Sequence, residues 1–246
     1  MTKRLWLQGV FGLAVAAAVL APQAAQAQIT RVSSSSDQKQ AIGFNLGYFA
    51  LRGADSRVNG DVLFTDLESL AFDIKDFNGF TFGGEYLVGV GDYLEVGAGV
   101  GYYQRTVPSV YRNFVNTNGA EIEQDLKLRV IPFSATARFL PIGRKGVAPY
   151  VGAGIGVFNW RYTETGEFVD FSDNSVFPNR YKADGTAVGP VILAGLRAPV
   201  GPAITVGGEI RYQKAEGDTK PAETGLLDNK IDLGGWTTSF TMHFRF

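Results

Sequence analysis

The chain has no cysteine, so no disulfide frames it and no thiolate can hold a metal. It has one histidine, so any histidine-based catalysis rests on His243 alone. Its net charge is −1, which provides no basic stripe of the kind a nucleic acid requires. Beyond residue 27 it has no run of 18 apolar residues. The longest, Val147–Phe158, is broken by Pro149, Gly152, Gly154 and Gly156, so no membrane helix is expected there. None of these absences bears on a membrane protein that crosses with strands. What is present instead is glycine, 31 of 246 residues, with 13% aromatics. That glycine share is well above the ~7% of ordinary proteins.

The first segment reads as an address. Met1–Gln28 begins with Lys3 and Arg4, continues as an apolar run from Leu5 to Leu20, and closes on Ala25-Gln26-Ala27. A basic start, a short apolar stretch and an A-x-A close form an export signal. Residues 1–27 are therefore expected to be removed, with Ala25 and Ala27 as the cleavage signal. Residues 28–40, polar and containing Ser33–Ser36, are expected to be a flexible periplasmic tail.

From residue 41 the pattern has period two. Eight segments alternate, with apolar residues such as Ile42, Phe44, Leu46 and Tyr48, then Phe80, Phe82, Tyr86 and Val88, and finally Trp236, Phe240, Met242 and Phe244 on one face. Strict alternation marks half-buried strands. That face carries no charge. The opposite face carries Glu85, Glu95, Arg105, Lys127, Arg129, Arg138, Arg197, Glu209, Arg211 and Arg245, together with glycine runs at Gly97-Gly99-Gly101 and Gly152-Gly154-Gly156. A soluble sandwich would cover its outer face with Lys, Thr and Ser. A charge-free face against a face of glycine, arginine and tyrosine fits lipid outside and a crowded lumen inside.

The connections alternate in length. Arg52–Gly79, Pro108–Glu121, Thr163–Thr186 and Lys214–Asp232 are long, whereas Gly89–Asp92, Leu140–Gly146 and Pro199–Pro202 are short. Short turns on one side and long loops on the other are the habit of outer-membrane barrels, and an even strand number puts both ends on the periplasmic side. In the fourth segment the apolar face runs Leu126, Leu128, Val130 and then Phe133, Ala135, Ala137. A bulge is expected where this parity switches, at Pro132. Pro190, inside the sixth segment, is expected to lie just above the membrane.

Three stretches carry a family resemblance: Pro149-Tyr150-Val151-Gly152-Ala153-Gly154-Ile155-Gly156, Gly207-Gly208-Glu209-Ile210-Arg211-Tyr212, and the terminal Phe244-Arg245-Phe246. The chain resembles the small eight-stranded outer-membrane β-barrels of Gram-negative bacteria, the OmpA-, OmpX-, OmpW- and opacity-protein-like group, over essentially its whole length after the signal. The resemblance implies an all-β, eight-stranded antiparallel up-and-down transmembrane β-barrel over residues 41–246. It also implies residence in the cell outer membrane, contact with outer-membrane lipid and lipopolysaccharide, and a monomer. Phe240, Met242, Phe244 and Phe246 resemble the signal read by the barrel-assembly machinery.

The fold does not fix the function. Ser239 and His243 share a face, but four residues of strand separate them by about 13 Å, too far for a nucleophile and its base. Thr241 between them is a poorer candidate, and Ser134 from another strand remains open. His243 reads as a structural lumen residue near the periplasmic end. No catalytic, cofactor or metal residue is assigned. The ten lumen charges need partners, because an isolated ion in a narrow barrel is costly. A Glu–Arg network centred on Glu85, Glu95 and Glu209 is expected to plug the lumen. The alternative is a narrow, weakly anion-preferring channel for small solutes, with Arg105 and Lys127 near its outer mouth. A non-enzymatic surface barrel with acidic extracellular loops is the leading reading, and a lipid A-modifying enzyme is the third.

The first long connection carries two competing patterns. Thr65-Asp66-Leu67-Glu68 has the spacing of a capping box, and Leu63, Leu67, Leu70, Ile74 and Phe77 form a helical stripe. Phe72, Ile74 and Asp76 also alternate as a strand would. A short amphipathic helix over the mouth and extended strands above the membrane both stay open.

Overall fold

The computed structural model describes residues 38–246. The proposed signal segment, with Ala25 and Ala27, and most of the proposed tail lie outside the described residues. Eight strands close into one antiparallel barrel: β1 (Gln40–Leu51), β2 (Gly79–Val90), β3 (Leu94–Val115), β4 (Glu121–Phe139), β5 (Ala148–Asp170), β6 (Ser175–Pro199), β7 (Ile204–Gln213) and β10 (Gly235–Arg245). Each pairs with its sequence neighbour, and β1 closes on β10 from Ala41↔Arg245 to Leu51↔Gly235. A small ribbon of β8 (Glu216–Asp218) and β9 (Lys230–Asp232) stands in the connection between β7 and β10. No helix among the described residues is long and apolar enough to cross a membrane.

The outward face is a belt of large exposed apolar side chains. Phe44, Leu46, Phe80, Phe82, Val151, Ile155, Ile192, Ile210, Trp236 and Phe240 are all more than half exposed or close to it. In water such a belt would be untenable; against lipid it is the stabilising surface. Aromatic pairs mark its rims, with Tyr212 and Trp236 4.8 Å apart and Phe44 set edge-on to Phe244 at 6.3 Å.

The strands are unequal. β1, β2, β7 and β10 have 10 to 12 residues, enough to cross with tilt. β3 to β6 have 22, 19, 23 and 25 residues and rise well beyond the membrane as a four-stranded wall. Two of the expected long loops are therefore strand. Pro108–Glu121 is largely the top of β3, and Thr163–Thr186 is a hairpin whose turn is only residues 171–174.

The expected bulge at Pro132 is absent. The β3–β4 register is the same on both sides of it, from Val100↔Phe133 to Tyr103↔Val130, and the ladder merely lapses opposite Gly101. A Cβ on Gly101 would lie 3.1 Å from the proline ring, so glycine there gives the ring its space. With the register unbroken, the parity above Pro132 is the reverse of the expected one. Leu126, Leu128 and Val130 point inward and are fully buried, and Lys127 and Arg129 point outward. The apolar residues in this stretch line a core, not lipid. Pro190 lies at the top of the β6–β7 ladder, which begins at Val191↔Gln213, so its missing N–H interrupts nothing on that side.

The first connection contains a helix, α1 (Val62–Ser69), and a 3-10 turn at Ile74–Phe77. Asp61 stands at the N-cap of α1, so Thr65 lies inside the helix and the expected capping box does not form there. A capping box forms eight residues later, at the 3-10 turn. The Asp73 side chain accepts from the Lys75 N–H, and the Asp76 carboxylate accepts from the Asp73 N–H at 2.8 Å. The helical stripe does pack inward: Leu63, Leu70, Ile74 and Phe77 are buried. A one-turn helix, α2 (Pro221–Thr224), lies beside the β8–β9 ribbon.

Candidate functional site

The lumen has two storeys. In the lower one, six strands bring charges together. Arg138 (β4) donates to Glu85 (β2) at 2.5 and 3.0 Å and stands 3.1 Å from Glu209 (β7). Arg211 (β7) holds the other side of Glu209 at 2.9 and 3.1 Å. Tyr150 (β5) donates its hydroxyl to Glu209 at 3.0 Å, and its ring lies under the guanidinium of Arg138. His243 (β10) meets Glu85 at 2.8 Å. Deeper, Arg197 pairs with Glu95 at 2.5 Å. Arg245 lies beside them and donates to the carbonyl of Arg144 at 3.3 Å. Both Glu85 and Glu209 thus have more than one donor, which is the condition for a buried charge to be tolerated. The inward glycines give these side chains room: a Cβ on Gly43 would come within 2.5 Å of the His243 ring.

Of the ten charges assigned to the lumen, Glu85, Glu95, Arg138, Arg197, Glu209, Arg211 and Arg245 converge there. Lys127 and Arg129 do not, because they face outward. Arg105 has inward parity but stands exposed near the first residue of β2, donating to the carbonyl of Asp76 at 2.9 Å. Tyr150 and Ser134, which accepts from Arg211 at 3.4 Å, are members that the charge pattern alone did not disclose. Strand parity placed them inward, and that was the available signal. His243 and Ser239 do not meet. Ser239 is turned to the backbone carbonyl of Glu209 at 3.5 Å, while the His243 ring is committed to Glu85.

The upper storey is apolar. Tyr103, Leu126, Leu128, Val130, Phe158, Trp160 and Tyr162 project from the tall wall into a single core. Val62 and Leu63 of α1, Phe77, and Ile231 and Leu233 from the last connection close it from the other side. The two covering connections are laced together by charge. Arg57 is bound to Asp61 and donates to the carbonyl of Asp232 at 2.8 Å, Arg52 pairs with Asp232 at 3.1 Å, and the Asp232 N–H donates to Asp61 at 2.7 Å. Burial raises the Asp61 carboxyl above its ordinary value, against the pull of Arg57. A small cavity of about 50 Å³ separates the storeys, lined among others by Thr81, Pro132, Ser134 and Ser239.

A closed eight-stranded ring, a lipid-facing belt and a filled lumen define an outer-membrane architecture, and comparison with known proteins agrees. The family model described as the outer membrane protein beta-barrel domain matches residues 11–244. The chain belongs to that family. It is an outer-membrane β-barrel of the kind found in Gram-negative bacteria. No curated protein matches it. Among solved structures, it is similar to the outer membrane protein OprG from Pseudomonas aeruginosa, at 13% identity and TM-score 0.48 over 85% of this chain and 96% of that one. Neisserial surface protein A gives 13% identity and TM-score 0.47 over 84% and 96%. The protease OmpT from Escherichia coli gives 10% identity and TM-score 0.41 over 89% and 100%. This family includes channels and adhesins, so membership places the barrel without assigning its task.

Proposed function

We propose that this outer-membrane barrel is non-enzymatic and closed, and that its working part is the extracellular half, a surface for interaction rather than a pore. The observation that carries this reading is the apolar core of Leu128, Phe158, Trp160 and Tyr162 lying across the upper lumen beneath α1. A solute passing through would have to part that core and then the Glu85–Arg138–Glu209 network below it. Ions avoid the first barrier, and the second is held by paired charges. Planar-bilayer recording tests it: no conductance is the expected result, and stable steps of uniform size would support the narrow channel instead.

Two further expectations belong to this reading. The leader is removed after Ala27, so amino-terminal sequencing of the membrane form should begin at Gln28. The outward Lys127, Arg129 and Arg161 sit just above the apolar belt, where the phosphates of lipopolysaccharide would lie. Phe240, Phe244 and Phe246 face outward at the end of the last strand, as an assembly signal requires. Deleting Phe246 should lower the amount of barrel recovered from the outer membrane.

A further inference from the structure

Above the sealed core, the tall wall and α1 enclose a second cavity of about 310 Å³. Two kinds of side chain stand out in its lining. Tyr111, Phe168, Phe177 and Tyr181 form the walls, and Asp66 and Glu164 lie among them. Strand geometry produces this mixture. Glu164 continues the inward parity of Phe158, Trp160 and Tyr162, and it faces Leu126 on one side and Tyr181 on the other. Five residues of strand, about 17 Å, lift it above Asn159, where the outward face turns polar. Phe168 packs edge-on to Tyr181 at 4.7 Å. Gly225, at φ 77°, allows the last connection to close against Tyr181, since a Cβ there would fall 2.7 Å from that ring.

The two carboxyls are partnered by Tyr162 and by each other. Asp66 accepts the Tyr162 hydroxyl at 2.8 Å. Glu164 is 7% exposed, and no donor among the described residues reaches its Oε1. Among the described residues no arginine or lysine forms a salt bridge with either group. The nearby charges, Asp61 and Asp228, act on Asp66 in the wrong direction. A buried carboxyl oxygen without a donor, opening on a cavity, marks a missing cationic partner. Aromatic faces around it select the kind of cation. A hard metal ion such as Ca²⁺ takes six to eight oxygen ligands, and among the described residues no three carboxylate, imidazole or thiol side chains come together to hold one. Ring faces instead attract an ammonium with an organic body.

We propose that this extracellular cavity is a receptor site for a small organic cation, with Asp66 and Glu164 as counter-ions to its ammonium and Tyr111, Phe168 and Tyr181 around its apolar body. The cavity volume lies at the lower end of ordinary ligand sites, so the ligand is small. The site gives chemical content to the surface-interaction reading and rests on it only in being extracellular. Without the ligand the pair is held partly protonated. Asp66 is pushed up to about 7 and Glu164 is raised well above its ordinary value, chiefly by burial. A bound ammonium would take the place of that proton and release it.

The test is calorimetric titration of the refolded full-length barrel in detergent with 2-phenylethylammonium chloride, benzyltrimethylammonium chloride, 2-phenylethanol and calcium chloride. The two ammonium salts should saturate, with the alcohol at least tenfold weaker. Binding at pH 6 should release protons, read as a dependence of the heat on buffer ionisation. Glu164→Gln should weaken the ammonium probes at least tenfold and leave the alcohol unchanged. Phe168→Leu, which keeps both carboxyls, should weaken benzyltrimethylammonium several-fold. It carries the test alone if Glu164→Gln loses the heat-modifiable mobility of the folded barrel. Failure of both ammonium salts to saturate, equal affinity for alcohol and ammonium, preference for calcium, or full ammonium affinity in both variants would each overturn the proposal. Bilayer conductance decides the closed-barrel reading separately: a conducting barrel that binds ammonium sinks that reading alone.

Discussion

The two storeys of the lumen bury carboxylates in opposite ways. Below, Glu85 and Glu209 are each gripped by arginine, with His243 or Tyr150 as a further partner. Above, Asp66 and Glu164 lie equally deep with a tyrosine and each other. The lower charges are largely buried inside a ring with lipid around it, where a carboxylate is tolerated only if its neighbours answer it. The upper acids lie beneath connecting segments instead of inside the lipid-bounded ring, and burial favours their protonated forms. The lower storey thus answers each acid with arginine, whereas the upper leaves its acids to each other and to a tyrosine.

The most damaging way to break this contrast is Arg138→Ala. It leaves Glu85 and Glu209 short of their shared partner and should cost about 3–5 kcal/mol, as expected for a buried pair broken on one side. Urea titration of the folded barrel in micelles reads it directly. Arg138→Lys should recover only part, because an ammonium cannot make the paired donation to Glu85.

Leu63→Ala comes next. Leu63 is fully buried where α1 meets the upper core. Its removal should cost about 2–5 kcal/mol locally. The loss should appear as faster hydrogen exchange in α1 and the last connection, with the exchange of the membrane strands unchanged. Equal loss of protection in both storeys would show that they are one cooperative unit.

The acids supply a third test, through pH. A carboxyl whose pKa is raised in the folded state contributes stability that is full below its unfolded value, near 4. That contribution is lost as pH rises through the folded value, about 7 for Asp66. Opening of the cap, measured by hydrogen exchange corrected for intrinsic rates, should therefore increase across pH 4–7, by up to about tenfold per pH unit for each group. Of the groups that face the pair, Asp61 and Asp228 push Asp66 the same way, the Tyr162 hydroxyl pulls both acids down but is outweighed by burial, and Arg57 is committed to Asp61. Asp66→Asn should flatten the dependence. An equally steep profile in that variant would remove the acids from the explanation.

Much of this architecture is written in the alternation of single residues. A period-two pattern whose apolar face holds no charge dictates a strand with lipid on one side. Hence eight of the ten charges assigned to the lumen keep the inward parity, and seven of those meet in the lower storey. The sequence misled where one apolar run serves two environments. Leu126, Leu128 and Val130 are as apolar as Phe133 and Ala135, but they line a core above the membrane instead of facing lipid. Hydrophobicity alone cannot tell these burials apart, and a proline at the boundary invited a bulge that the register does not contain. The acidic pair was hidden for another reason. Asp66 and Glu164 are 98 residues apart in sequence, and only the height of β5 over the membrane, which no local pattern encodes, brings them together.

The smallest expected effect tests that reversed parity. With Lys127 directed outward, Lys127→Gln should change stability by no more than about 0.5 kcal/mol, as at an ordinary exposed site. Lys127→Leu should be tolerated almost as well in detergent. With the opposite parity, Lys127 would occupy the crowded lumen at the level of Leu128, and removing its charge would disturb whatever carboxylate had paired with it. Leu128→Lys is the sharper partner experiment. It would put an ammonium into the core beside Tyr162 and Arg105, against the cost of burying it, and should prevent the cap from closing. If Leu128→Lys is harmless and Lys127→Gln is costly, the strand is turned over, and the upper chamber with its two acids could not exist as described.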